Sequence, residues 1–211
     1  FFESRDVTIL TNSRVDHLNA DENGHVKEVV LAGGKRLPAQ CVVVGIGVEP
    51  DTEWLRNTKV ELDKRGFVIV NEAFETSVKD VYAIGDSVTA PLKFWGIDSI
   101  NIQHFQVAQR HGQLAAYSVM KKPQPGKVIP LFWSVFFMAK GVKLAGCTEG
   151  YDETYTRGDV DDFNFVKYYL KKDVVVAVMT GGPPLAAIQF LAIWENGRQI
   201  TRSEVEKYVF I

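Results

Sequence analysis

Asp86 is the residue of this chain best placed to do chemistry. It follows Gly85 at the end of an apolar run, Val81-Tyr82-Ala83-Ile84, within the longer stretch Thr76-Ser77-Val78-Lys79-Asp80 that leads into it. Such a run suits a buried strand, glycine lets the backbone turn sharply at its end, and the aspartate then stands at the carboxyl edge of a sheet. A carboxylate in that place accepts hydrogen bonds from sugar-like hydroxyls. Taken alone, the Gly-Asp pair reads first as a helix cap or an ordered turn.

The other candidates are Gln103, His104 and Phe105, which open a helical run, and Phe132 and Trp133, which lie in an aromatic segment. Amides at a helix start, aided by the helix dipole, stabilise negative charge. The same pattern describes an ordinary surface helix. Phe132 and Trp133 offer flat apolar faces that could hold a ring or fill a core. His104 invites a general-base role, but a lone histidine at a helix start is a hydrogen-bonding residue, and no catalytic residue is assigned. Cys41 and Cys147 lie far apart outside any C-x-x-C, and the four histidines lack zinc-ligand spacing. That argues against a redox dithiol, a structural zinc, an iron–sulfur ligand set or any other metal site.

Positioning these residues falls to an ordinary globular chain of 211 residues, 46% hydrophobic and 24% charged, with a formal charge of -2. With 24 basic against 26 acidic residues and no dense Lys/Arg block, it carries no electrostatic footprint for nucleic acid or an anionic membrane. Its longest apolar stretches, 128–139 and 183–194, are interrupted and fall well short of the roughly 20 residues of a membrane span. The opening Phe1-Phe2-Glu3 has no methionine and no visible targeting signal, which points to a trimmed piece of something longer.

The elements read as follows. Strands are expected over 7–10, 14–19, 26–31 and 36–37, with Asn23-Gly24 as a two-residue hairpin turn. Cys41-Val42-Val43-Val44 reads as a strand buried on both faces of a parallel sheet. Gly45-Ile46-Gly47-Val48-Glu49-Pro50 begins like a dinucleotide fingerprint, but proline replaces the third glycine, so a sheet-edge turn and a short helix over 53–56 are expected instead. Residues 66–70 and 81–84 read as strands. A helix over 102–120 sets Phe105, Ala108, Gly112, Ala115, Ala116 and Val119 on one face. Pro123-Gln124-Pro125-Gly126 is a linker. Beyond it, strands are expected at 143–148, 152–156, 164–170 and 174–179, the last three antiparallel. A helix starts at Gly181-Gly182-Pro183-Pro184 and runs to Trp194, and another covers 203–208 behind the capping box Ser203-Glu204-Val205-Glu206.

Taken in order, Gly45 to Pro50, Thr76 to Asp86, the helix opened by Gln103-His104-Phe105 and the segment Pro130-Leu131-Phe132-Trp133 resemble the FAD- and NAD(P)H-dependent pyridine-nucleotide oxidoreductases of the ferredoxin-reductase and apoptosis-inducing-factor group. Through Phe132-Trp133-Ser134 and Gly158-Asp159 the likeness is greatest to the apoptosis-inducing-factor-like members that carry a Rieske domain. The resemblance implies an α/β fold: part of a two-dinucleotide-domain FAD/NAD(P)-binding fold, followed by an α+β antiparallel C-terminal domain. Residues 1–44 would be the trailing strands of the NAD(P)H-binding domain, 45–126 the C-terminal half of the FAD-binding domain and 127–211 the C-terminal domain. It also implies that Gly85 and Asp86 bind the ribityl chain of FAD, that Gln103, His104 and Phe105 face the pyrimidine side of the flavin, and that Phe132 and Trp133 lie against the ring.

In the family, NAD(P)H hands a hydride to FAD, which passes electrons to an iron–sulfur or quinone-like acceptor; here that acceptor would be a separate protein or an iron–sulfur domain of the same parent chain. The compartment implied is mitochondrial or cytoplasmic. Neither family glycine fingerprint nor the Rieske ligands occur in these residues, so the piece alone is expected to be inactive. The competing reading is a non-catalytic dimerisation or interaction module, a homodimer included, with a vestigial flavin site and Phe132, Trp133, Phe136 and Phe137 as its partner surface.

Overall fold

The computed structural model describes residues 1–208. Phe1–Val48 forms one compact unit and the chain from Glu49 onward a second.

In the first unit β1 (Val15–Ala20), β2 (Val26–Leu31) and β3 (Arg36–Pro38) make an antiparallel meander in that order. Val30 and Leu31 at the end of β2 are both buried, one on each face of the strand. The β1–β2 connection is longer than the two-residue turn expected at Asn23-Gly24. The Asp21 carboxylate accepts the amides of Asn23 at 2.9 Å and His25 at 3.0 Å, which orders a five-residue loop. Two expected strands are absent. Residues 7–10 and 41–44 pair with no strand among the described residues, and Val43 is 92% exposed. An apolar β-branched run becomes a strand only when another strand meets its amides, and no described segment does so here.

In the second unit β4 (Val68–Ile69), β5 (Val88–Leu92) and β6 (Ile97–Ile100) form a small mixed sheet, β4 parallel to β5 and β5 antiparallel to β6. Helix α1 (Phe105–Val119) covers a core of Leu55, Val68, Val70, Phe74, Val88, Ala90, Leu114 and Ala115. Its inward face is Val107, His111, Leu114 and Ala115, rotated from the face expected; Phe105 and Val119 are exposed. The expected helix over 53–56 is a single 3-10 turn, Glu53–Leu55. Residues 81–84 are not a buried strand either. Tyr82 makes one bridge to Glu75, and Val81 and Ile84 are each 41% exposed.

The rest is one antiparallel sheet of β7 (Leu131–Phe136), β8 (Lys140–Gly146), β9 (Glu153–Asp159), β10 (Asn164–Lys171) and β11 (Val174–Gly181), ordered β7-β8-β11-β10-β9. Lys172 and Asp173 both take positive φ, as a tight hairpin between β10 and β11 requires. Helix α2 (Ala186–Glu195) starts five residues later than expected because Gly181 still belongs to β11. It lies on β8 and β11 and buries Phe190 and Trp194 completely. Gly146, at φ +89°, leaves room for that contact, since a Cβ there would strike the Val176 carbonyl and the Trp194 ring. Trp95 packs edge-on against Trp194 at 5.6 Å and donates its indole N–H to the Val176 carbonyl at 2.8 Å. Helix α3 (Arg202–Lys207) has its capping box at Thr201 and Glu204, two residues before the expected Ser203.

Candidate functional site

Asp86 sits in the 3-10 turn Gly85–Ser87, immediately ahead of β5, so it stands at the amino end of a strand and not at the carboxyl edge of a sheet. Small residues bring this turn onto α1. A Cβ on Gly85 would lie 3.4 Å from the Ala108 methyl, and one on Gly112 would lie 3.5 Å from Ile84 Cδ1. Gly85 has φ +78°, which an L side chain would strain. Its N–H donates to His111 Nδ1 at 3.3 Å. His111 is buried beside the Phe74 ring, 4.7 Å away, and burial pushes its pKa down to about 4. The imidazole is therefore neutral at pH 7, with Nδ1 accepting and the proton on Nε2.

From the other side the Asn101 side-chain amide donates to the Asp86 carbonyl at 2.9 Å and to the Val88 carbonyl at 2.7 Å. The Asp86 side chain itself is exposed, and among the described residues its carboxylate has no hydrogen bond or ion pair. A carboxylate fixed by its backbone and left open can accept several hydrogen bonds from outside.

Three residues beyond Asn101, His104 caps α1 with extended backbone, φ -144° and ψ 131°, and no side chain closes the helix end among the described residues. The first-turn amides, which have no intrahelical acceptor, stay open at the positive end of the dipole. His104 Nδ1 and Gln106 Oε1 are shut away from solvent without a partner. A buried polar atom left unpaired costs free energy, which a partner from outside the described chain would recover; Tyr168, Thr180 and Trp194 in the sheet core carry such atoms as well. The His104 ring lies 4.7 Å from Phe105 and 5.7 Å, edge-on, from Phe132 of β7.

The structure thus brings His104, Phe105 and Phe132 together and ties Gly85 and Asp86 to the same helix. It does not gather Trp133, because alternation along a regular strand turns that ring to the opposite face of β7 from Phe132. Gln103 is exposed beside His104. A groove of about 450 Å³ runs between α1 and α2; Gln106 and Leu131 line it, while Asp86, Phe132 and Trp133 stand outside it. Asn101 and His111 were invisible to motif reading. His111 had one signal, a polar residue spaced with Val107, Leu114 and Ala115 on an apolar helix face. Asn101 had none.

Among the described residues no cluster of His, Cys, Asp and Glu could hold a metal ion, and no helix is long and apolar enough to cross a membrane.

Residues 1–112 match the family model for pyridine nucleotide-disulphide oxidoreductases. The chain is 36% identical to apoptosis-inducing factor 3 of Homo sapiens, over 99% of this chain and 34% of that protein. It is 32% identical to the rubredoxin-NAD(+) reductase of Ectopseudomonas oleovorans, over 68% of this chain and 36% of that one. Among solved structures it resembles the reductase of a covalent putidaredoxin reductase–putidaredoxin complex, with a TM-score of 0.85 and 27% identity over 92% of this chain and 46% of that one. It spans about a third of the length of these curated relatives. Family model, full-length likeness and fold agree, and the chain belongs to the pyridine nucleotide-disulphide oxidoreductase family.

Proposed function

We propose that this chain is the carboxyl-terminal portion of a flavoprotein that moves a hydride from NAD(P)H to FAD and passes electrons to an iron–sulfur or quinone-like acceptor. Residues 1–44 are then the end of the nicotinamide domain, 45–126 half of the FAD domain and 127–211 the C-terminal domain. Relatives named as a rubredoxin reductase and a ferredoxin reductase subunit support an electron-carrier protein as the acceptor. The observation that carries the reading is the open Asp86 carboxylate on a turn bonded to α1 through Gly85 and His111, at a helix whose uncapped start holds the unpaired His104 Nδ1.

These residues fit FAD. Bound there, FAD supplies a centre that accepts two electrons together and releases them singly. Asp86 accepts hydrogen bonds from ribityl hydroxyls. The His104 amide is spent on the Ile102 carbonyl at 3.1 Å, so it is the first-turn amides of α1 from Phe105 onward, with the helix dipole, that favour negative charge on the pyrimidine side, which raises the cofactor's reduction potential. Phe105 and Phe132 exclude water from that end. His104 fixes orientation and needs no proton-transfer role.

One observation favours the second reading, a dimerisation or interaction module. Phe132, Trp133, Phe137 and Met138 are all exposed along the edge of the five-stranded sheet. The full-length protein separates the two. The enzyme reading predicts that it purifies yellow and that anaerobic NADH or NADPH bleaches the flavin within a single turnover; a colourless protein whose mass rises with concentration supports the module and refutes the enzyme.

A further inference from the structure

Asp86 and the amino end of α1 are far apart along the chain, with β5 and β6 between them, yet one side chain joins them directly. Asn101 spends both amide hydrogens on the turn, one on the Asp86 carbonyl at 2.9 Å and one on the Val88 carbonyl at 2.7 Å. Asn101 itself follows β6 directly and lies three residues ahead of His104, the N-cap of the helix. On the far side of the turn, His111 in α1 accepts the Gly85 N–H at 3.3 Å. The Gly85-Asp86 pair is therefore held at one end by α1 and at the other by the connection that leads into it, while the Asp86 carboxylate stays open among the described residues.

A simple sheet tie does not account for this arrangement. The β5–β6 ladder is already fixed by Ala90 opposite Ile100 and Leu92 opposite Ile97, and the Asp86 carbonyl lies outside it. An amide that served only to finish the ladder would need the Val88 carbonyl alone. The second bond reaches two residues further, onto the residue whose carboxylate is free. Each such bond is modest in net stability, because water competes for both partners in the unfolded chain. Its geometric effect is larger, since a turn that shifts by a fraction of an ångström carries Asp86 with it.

We propose that Asn101 is a positioning residue. It sets the separation between the Asp86 carboxylate and the open amides of α1, and so the fit and electrochemistry of the cofactor they share. This rests on the flavin reading above. The test uses the full-length protein and three readouts: the FAD dissociation constant, the flavin midpoint potential and the melting temperature of the flavin-free form. Asn101→Ala removes both bonds and should raise the dissociation constant about tenfold or more, equivalent to about 1.4 kcal/mol. Asn101→Gln keeps both donors but adds a methylene to their reach. Positioning predicts that Asn101→Gln melts like the wild type yet still shows a displaced potential and weakened FAD. A structural tie predicts that Gln restores all three readouts, and that result overturns the proposal; should the Ala variant fail to fold, the Gln variant alone still decides.

Asp86→Ala is the reference. If it leaves FAD affinity unchanged, the flavin reading fails and takes this proposal with it. If it loses FAD while Asn101→Gln binds with wild-type affinity and potential, positioning alone fails.

Discussion

The five-stranded sheet with α2 and the Asp86 turn with the start of α1 spend their side chains in opposite ways. In the first, Tyr168, Phe190 and Trp194 are completely buried, and small residues such as Gly146, Ala177 and Ala187 let helix and sheet close on one another. In the second, small residues again permit close approach, at Gly85, Ala108 and Gly112, but what they leave at the surface is a free carboxylate, open amides and half-exposed rings. Close packing serves stability in the sheet. Around Asp86 it serves placement of groups that stay open among the described residues.

If that contrast is right, the largest stability losses lie in the sheet. Trp194→Ala deletes a fully buried indole and should cost about 3–5 kcal/mol, read as a fall in the urea midpoint with little change in slope. A loss below about 1 kcal/mol would break the comparison at its stronger end.

Next comes His111, the buried polar residue beneath the Asp86 turn. Its pKa of about 4 lies below the 6.5 of an exposed imidazole, so the folded state binds fewer protons than the unfolded chain between those values. Stability is then complete above pH 6.5 and declines as pH falls towards 4, by at most about 3 kcal/mol. Urea midpoints across that range should slope downward with acid in the wild type and flatten in His111→Gln. An unchanged slope would show that His111 is not the buried group responsible.

Thr201→Ala removes the cap of α3 and should cost about 1 kcal/mol, a control for an ordinary local feature of the C-terminal portion. Asp86→Ala should move stability least, by less than about 0.5 kcal/mol, because its exposed carboxylate has no partner within the described chain. A melting curve that fell with Asp86→Ala as far as with Thr201→Ala would make Asp86 a structural residue.

What the sequence made legible follows the same division. The β10–β11 hairpin, with Lys172 and Asp173 at its tip, and the long helix α1 were read correctly because turn chemistry and 3.6-residue periodicity are local signals. Residues 41–44 and 81–84 carry equally good local signals for strands and form none, since pairing depends on where other strands lie. The face of α1 was misjudged because a buried histidine looks polar in a pattern, whereas its Nδ1 is satisfied by the Gly85 amide. At the candidate site, the order of motifs pointed to Gly85, Asp86, Gln103, His104, Phe105, Phe132 and Trp133, of which His104, Phe105 and Phe132 lie together. Asn101 escaped notice because it acts on backbone carbonyls, which every residue has.

The most direct measurement is the FAD dissociation constant of the full-length protein, wild type against Asp86→Ala, with the flavin-free melting temperature recorded for both. The account predicts at least a tenfold loss of affinity at an unchanged melting temperature. Equal affinity in the two proteins, or a loss of affinity that only tracks a loss of fold, would contradict it.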